Sequence, residues 1–116
     1  MTLAVGLIGA GYFAQFHAEA WARMPGARLA GVCDSDRAKA EATAARHGGV
    51  AFGDLAAMLA EIALDLLDIA APPPVHAPAI RAAIAAGIPT AICQKPFCGE
   101  FGAAKGITAE AEAAGL

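Results

Sequence analysis

The chain opens on an apolar run that leads directly into a glycine-rich turn, and this feature constrains the fold more than any other. Residues 3–8 are apolar throughout, Gly9-Ala10-Gly11 follows, and residues 12–24 have helical periodicity. Four further apolar runs alternate with helical segments. Apolar strands that alternate with helices are typical of a parallel sheet covered on both faces. Right-handed crossovers then predict a doubly wound α/β sheet, the Rossmann fold.

The predicted elements alternate strictly between strand and helix. The strands cover residues 3–8, 28–33, 50–52, 65–71 and 89–93, and the helices cover 12–24, 36–47, a segment capped by Asp54, 75–86 and 99–116. A full dinucleotide-binding sheet has the order 3-2-1-4-5-6, so its sixth strand would begin after residue 116. We therefore expect residues 1–116 to form one dinucleotide-binding domain, truncated after the fifth strand and its following helix, with no substrate domain.

The first predicted helix carries an apolar stripe and a polar stripe. The apolar stripe consists of Phe13, Phe16, Ala20 and Met24, and the polar stripe of Gln15, Glu19 and Arg23. The apolar stripe is expected to face the core, and His17, which lies on it near Phe13 and Met24, is interpreted as structural. Asp68 falls inside an apolar strand, where an unpaired charge is costly. It must therefore have a partner, which the sequence does not name.

Composition excludes several classes of protein. The chain is 58% hydrophobic and 16% charged with a net charge of −3, so it has no basic surface for nucleic acid. Its longest apolar stretch, residues 62–80, contains Asp65, Asp68 and four prolines, which excludes a membrane span. The N-terminus lacks the basic segment of a signal peptide, and a cytoplasmic protein is expected. Cys93 and Cys98 have no second pair of ligands, so we predict thiols and no metal site.

The glycine turn fits the pattern G-x-G-x-x-A between a strand and a helix. Gly9 would allow the tight turn, Gly11 would let the backbone approach a pyrophosphate, and Ala14 would let helix and strand pack closely. The N–H groups at the helix start, from Tyr12 and Phe13 onward, would face the phosphate charge. A glycine turn without a ligand is the alternative, but the flanking strand and helix are the context that confirms the motif.

Asp34 ends the second predicted strand, at the spacing where an acid binds the ribose hydroxyls of the cofactor. A carboxylate there accepts both hydroxyls and repels a 2′-phosphate, so NAD is favoured over NADP. The alternative role for Asp34 is the N-cap of the next helix, although Ser35 or Asp36 could serve as that cap. Arg37 keeps NADP open, because a nearby arginine can accommodate the extra phosphate.

Two later motifs lie at the carboxyl ends of strands four and five, where open α/β sheets bind ligands. They are Ala71-Pro72-Pro73-Pro74-Val75-His76 and Gln94-Lys95-Pro96. With the glycine turn and Asp34, they make the whole chain resemble the N-terminal domain of the Gfo/Idh/MocA oxidoreductase family. The first motif is similar to that family's T-P-x-x-x-H, and the second is similar to its E-K-P.

The resemblance implies an NAD-dependent hydride transfer to or from a sugar-like or polyol-like hydroxyl. It places cofactor contacts at Ala71, Pro72, His76, Gln94, Lys95 and Pro96. Lys95 would be the catalytic residue, touching the nicotinamide ribose and the substrate hydroxyl. Gln94 departs from the family's glutamate and removes a charge that would help to keep Lys95 protonated. The alternatives are a strand-end lysine that faces water and a helix-start His76 that binds nothing.

Three functions are compatible with these motifs. The first is the oxidoreductase, whose missing second domain would supply the substrate pocket, so that this chain alone binds cofactor without turnover. The second is a non-catalytic NAD-binding or sensor module marked by Gln94. The third, an S-adenosylmethionine methyltransferase, leaves Gln94-Lys95-Pro96 without a purpose. We also expect a homo-oligomer, because residues 89–93 form an uncharged edge strand that can pair with another chain.

Overall fold

The computed structural model describes residues 2–93. The strands are β1 (Leu3–Ile8), β2 (Ala27–Cys33), β3 (Val50–Phe52), β4 (Leu66–Ile69) and β5 (Thr90–Cys93). The helices are α1 (Tyr12–Arg23), α2 (Arg37–His47), α3 (Leu55–Glu61) and α4 (Pro73–Ala86). Gln94, Lys95, Pro96, Cys98 and the helix predicted at 99–116 lie outside the described residues.

Within residues 2–93, five parallel strands form one sheet in the order β3-β2-β1-β4-β5. This confirms the doubly wound fold and the position of β5 at an edge of the described sheet. The chain reverses its direction of winding between β1 and β4, and Ile8 of β1 is level with Cys33 of β2 and Ile69 of β4. The ends of these three strands therefore open onto one crevice, which is where doubly wound sheets bind ligands.

The sheet is covered on both faces, as its apolar strands require. On one face Leu7 and Val32 pack with Ala14, Ala18 and Ala40 of α1 and α2. The opposite face holds a larger cluster from β4, α3 and α4, which includes Met58, Leu67, Ile69, Ala79 and Ala83. On the face covered by α1 and α2, the core thus combines large aliphatic side chains on the strands with alanines on the helices. This pairing brings the helices close to the sheet.

The face of α1 predicted to be inward is wrong. Ala14 and Ala18 are buried against the sheet, whereas Phe13 and Phe16 are 62% and 56% exposed and Met24 is also exposed. The buried face is therefore rotated from the apolar stripe. Because α1 packs closely over β1 and β2, alanine fits the contact and an aromatic ring does not.

The partner that Asp68 requires comes from α1. The Asp68 side chain in β4 is 2% exposed. Its Oδ2 lies 2.8 Å from Nδ1 of His17 and accepts a 2.7 Å hydrogen bond from Nε1 of Trp21, while Oδ1 has no partner among residues 2–93. Removing a donor from a buried carboxylate is costly. His17 is therefore structural, as predicted, and it ties α1 to the centre of the sheet.

The boundary between β4 and α4 also differs from the prediction. The strand ends at Ile69, two residues early, and α4 begins at Pro73, in the run of prolines that was expected to precede it. Proline is compatible with the first turn of a helix because the N–H it lacks has no partner there.

The Asp54 prediction is confirmed, since its carboxylate caps α3 by accepting from the Ala56 N–H at 3.1 Å. None of the helices in the described region could cross a membrane.

Candidate functional site

A cleft of about 500 Å³ lies at the carboxyl ends of the strands, and we call it the strand-end cleft. Its walls come from the segments that follow β1, β2, β3 and β4, and include Gly9, Gly11, Cys33, Asp34, Ser35, Lys39, Gly53, Asp54, Leu55, Ala70, Pro72 and Val75. Its size is in the range of small-molecule sites, about 300–1,000 Å³. Gly9, Gly11, Asp34 and Pro72, which the sequence singled out from three separate segments, meet in this cleft.

Gly9 is required by the backbone. Its φ is 105°, and a Cβ on it would lie 2.5 Å from the carbonyl oxygen of Ala70. Its N–H donates a 2.7 Å hydrogen bond to the Cys33 carbonyl. The turn after β1 is therefore wedged between the ends of β2 and β4, and a side chain at Gly9 would push these strands apart.

Gly11 has a different role. Its φ of −79° is open to any residue, and a Cβ on it would meet nothing within 4 Å. It is the N-cap of α1, where no side chain within residues 2–93 caps the helix and the first turn carries no acid. The helix N–H groups and dipole are then available to an anion. The empty space at Gly11 and the uncapped helix start fit a pyrophosphate group.

Asp34 holds two backbone groups at the rim of the cleft. Its Oδ2 accepts from the Ala10 N–H and its Oδ1 from the Asp36 N–H, both at 2.8 Å. Asp36, by accepting from Ala38 at 3.1 Å, is the N-cap of α2, so Asp34 is not. A carboxylate has about four acceptor positions. After these two bonds, Asp34 can still accept two hydroxyl groups.

Arg37, which the sequence offered as a site for a 2′-phosphate, stands at the start of α2. Its side chain is exposed, and its Nε lies 3.2 Å from Oε1 of Glu41. Ser35 and Lys39 line the cleft instead, as does Asp54 after β3. The sequence analysis did not place these three residues at the ligand site. The rule that ligands bind at strand ends, applied to β3 as well, would have found Asp54.

Tyr12 and Phe13 are placed with their side chains in solvent. Tyr12 is 74% exposed, and its ring makes edge-to-face contacts at 5.4 Å with the rings of Phe13 and Phe16. Neither Tyr12 nor Phe13 lines the strand-end cleft. What α1 presents to a ligand from these two positions is backbone at the helix start.

His76 stands behind the cleft wall. The ring is 1% exposed, and its Nε2 lies 2.6 Å from the carbonyl oxygen of Ala71. Ala71 is half-buried, and its neighbour Pro72 lines the cleft. In this arrangement the imidazole supports the wall between β4 and α4.

Cys33 ends β2 and lies in the wall of the strand-end cleft. Burial raises the pKa of its thiol to about 11, and the negative charges of Asp54 and Asp34 add to the effect. The thiol is therefore protonated near neutral pH. Since the thiolate is the reactive form, Cys33 is a small apolar part of the wall.

Comparison with known proteins decides the family. A family model described as "Oxidoreductase family, NAD-binding Rossmann fold" matches residues 3–116. The chain belongs to the Gfo/Idh/MocA oxidoreductase family. The resemblance inferred from the motifs is thereby confirmed, and NAD is the cofactor of the matching domain.

Two curated relatives within this family illustrate the match. D-apiose dehydrogenase from Paraburkholderia graminis is 39% identical over 116 residues, covering 95% of this chain and 29% of its own. Inositol 2-dehydrogenase from Rubrobacter xylanophilus is 36% identical, covering 95% of this chain and 31% of its own. The chain thus spans less than a third of the length of these relatives and corresponds to their cofactor domain.

Solved Gfo/Idh/MocA structures confirm the fold. An oxidoreductase from Agrobacterium radiobacter, crystallised with NAD⁺, L-tartaric acid and magnesium, is 34% identical with a TM-score of 0.92. The comparison covers all of this chain and 34% of that protein. GenD2 from gentamicin A biosynthesis, in complex with NAD, is 29% identical with a TM-score of 0.88, over 99% of this chain and 33% of its own.

Proposed function

We propose that this chain binds NAD in the strand-end cleft and is the cofactor domain of a dehydrogenase that acts on a sugar-like or polyol-like hydroxyl. The observation that carries the proposal is that one cleft combines the open helix start at Gly11 with the carboxylate of Asp34. The substrate class follows the named substrates of the relatives, D-apiose and inositol. The proposal includes the cytoplasmic location expected from the sequence.

The described residues fit two groups of NAD, the pyrophosphate and the ribose of its adenosine. The first turn of α1 would hold the pyrophosphate through backbone N–H groups, and Asp34 would accept the two ribose hydroxyls. Gly9, Ala70 and Pro72 would form the wall that keeps water from one side of the cofactor. Bound NAD supplies the hydride acceptor for the oxidation of the substrate C–H bond.

Lys95 is proposed to take the proton of the substrate hydroxyl as the hydride leaves the carbon that carries this hydroxyl. Its assignment rests on the resemblance of the Gln94-Lys95-Pro96 motif, which follows β5 in the sequence, to the family's E-K-P. Gln94 and Pro96 would flank the nicotinamide end of the cleft. With glutamine at position 94, Lys95 lacks an adjacent carboxylate that would favour its charged form.

The first test of cofactor binding uses Asp34→Asn, which keeps the shape of the side chain and removes its charge. Wild type should bind NAD in preference to NADP, and the variant should narrow this preference about tenfold or more, since bonds to a charged acceptor are worth about 1.5–3 kcal/mol. Calorimetric titration of both cofactors measures the ratio. Asp54→Asn is the matched control, because it neutralises a second carboxylate in the same cleft. Equal or tighter binding of NADP by wild type would contradict the ribose assignment.

We also propose that the chain self-associates through β5. Thr90–Cys93 is an uncharged strand at the edge of the described sheet, and Ile92 is 44% exposed. Such an edge is a template for another strand. Sedimentation velocity over a concentration series should show dimers that Ile92→Lys disperses, because the charge opposes pairing. The control is Val50→Lys, at an exposed position of β3 on the opposite edge. A wild-type monomer at every concentration contradicts the proposal.

A further inference from the structure

The backbone of the glycine turn is held by a side chain that does not line the cleft. Gln15, in the second turn of α1, places its Nε2 3.1 Å from the Ala10 carbonyl, 3.3 Å from the Gly11 carbonyl and 2.9 Å from Oγ1 of Thr43. Because carbonyl oxygens only accept hydrogen bonds, the nitrogen of the amide must face them and donate. The three contacts join the turn to α2, where Thr43 is buried.

Ala10 is held by a second side chain as well, through its N–H group. While the Ala10 carbonyl accepts from Gln15, the Ala10 N–H donates to Asp34 at 2.8 Å. Both polar groups of Ala10 are therefore bonded to side chains from separate parts of the chain, α1 and the segment that follows β2. The glycines on either side have the widest conformational freedom of any residue. These bonds restrict the one non-glycine residue between them.

We infer that Gln15 and Thr43 are positioning residues that hold the glycine turn in its pyrophosphate-binding shape before the cofactor arrives. This inference rests on the proposed function. A turn that samples other shapes binds with an affinity reduced by the fraction of time spent in the competent one. Thr43 anchors the Gln15 amide, so that the amide is already oriented towards the turn. The ordering cost is then met on folding and not on binding.

A simple brace between α1 and α2 is the competing explanation, and a series of ligands separates the two. NAD and ADP carry a pyrophosphate that contacts the turn, whereas adenosine lacks phosphates and reaches only the Asp34 end of the cleft. A positioning role affects the first two ligands and leaves adenosine unchanged. A brace affects all three together, along with the midpoint of thermal unfolding.

The main variant is Gln15→Glu, which has the same size but cannot donate and repels both carbonyls. We expect it to bind NAD and ADP about tenfold more weakly, the equivalent of one lost hydrogen bond, with adenosine affinity unchanged in NMR titrations. Thr43→Val should weaken NAD binding about threefold to fivefold. Thr43→Ser, which keeps the hydroxyl, should bind NAD as tightly as wild type does. Glu19→Gln is the control, since Glu19 lies one turn later on the exposed face of α1 and pairs with Arg23.

Each outcome supports or overturns the inference. Faster hydrogen exchange of the Ala10 and Gly11 amides in Gln15→Glu, with core amides of β1 unchanged, would support it. If wild type binds NAD and both Gln15→Glu and Thr43→Val bind it equally well, Gln15 and Thr43 do not position the turn. If Gln15→Glu does not fold, the Thr43 pair decides alone. Failure of wild type to bind either NAD or adenosine would instead contradict the proposed function itself.

Discussion

Gly9→Ala and Gly11→Val should have opposite effects on folding and on cofactor binding. The first change places a Cβ 2.5 Å from the Ala70 carbonyl at a φ of 105°. A strained backbone of this kind costs about 1–3 kcal/mol before the clash is counted, so we expect the midpoint of thermal unfolding to fall by about 10 °C or more. Gly11 has neither constraint, and its variant should retain wild-type stability within about 0.5 kcal/mol.

Cofactor binding should be lost in the variant that keeps its stability, Gly11→Val. The Gly11→Val side chain enters the space left open at the start of α1, where the pyrophosphate is proposed to lie, and NAD affinity should fall about a hundredfold, the equivalent of one lost charge-assisted hydrogen bond. Thermal unfolding and calorimetric titration on the same samples measure both effects. Gly26→Ala is a control for the strain alone, since it has a positive φ of 83° with nothing near its Cβ. If Gly11→Val binds NAD as tightly as wild type does, the pyrophosphate does not lie at this turn.

Lys95→Ala should produce the largest loss of activity in a polypeptide where residues 1–116 are followed by their substrate domain. Loss of a proton-transfer group lowers turnover by about 10²–10⁴, and NAD affinity should change little because the contacts proposed for the start of α1 and for Asp34 remain. Steady-state rates with a panel of polyols and sugars, together with NAD titrations, give both quantities. Lys105→Ala is the control, as a lysine outside the motif.

The same measurements separate the enzyme from the non-catalytic alternative. A two-domain protein that binds NAD but oxidises no member of the panel favours a sensor, with Gln94 in place of the family's glutamate as the reason. Normal turnover in Lys95→Ala would instead show that the motif is only the end of a strand.

The sequence by itself determined the order of the elements and the location of the cleft. Continuous apolar runs, the glycine turn, and Asp54 at a helix start act through local backbone preferences and burial, which a single sequence expresses directly. Parallel strands joined by right-handed crossovers have few possible orders. For that reason the order β3-β2-β1-β4-β5 and the meeting of Gly11 with Asp34 could be predicted.

Only the tertiary structure decided which side chains face one another. The inner face of α1 depends on how closely the helix lies on the sheet, which favours Ala14 and Ala18 over the more hydrophobic Phe16. The contacts of Asp68 with His17 and of Gln15 with Thr43 join residues 51 and 28 positions apart. No local pattern records such pairs, because they form only when the packed sheet brings separate elements within hydrogen-bonding distance.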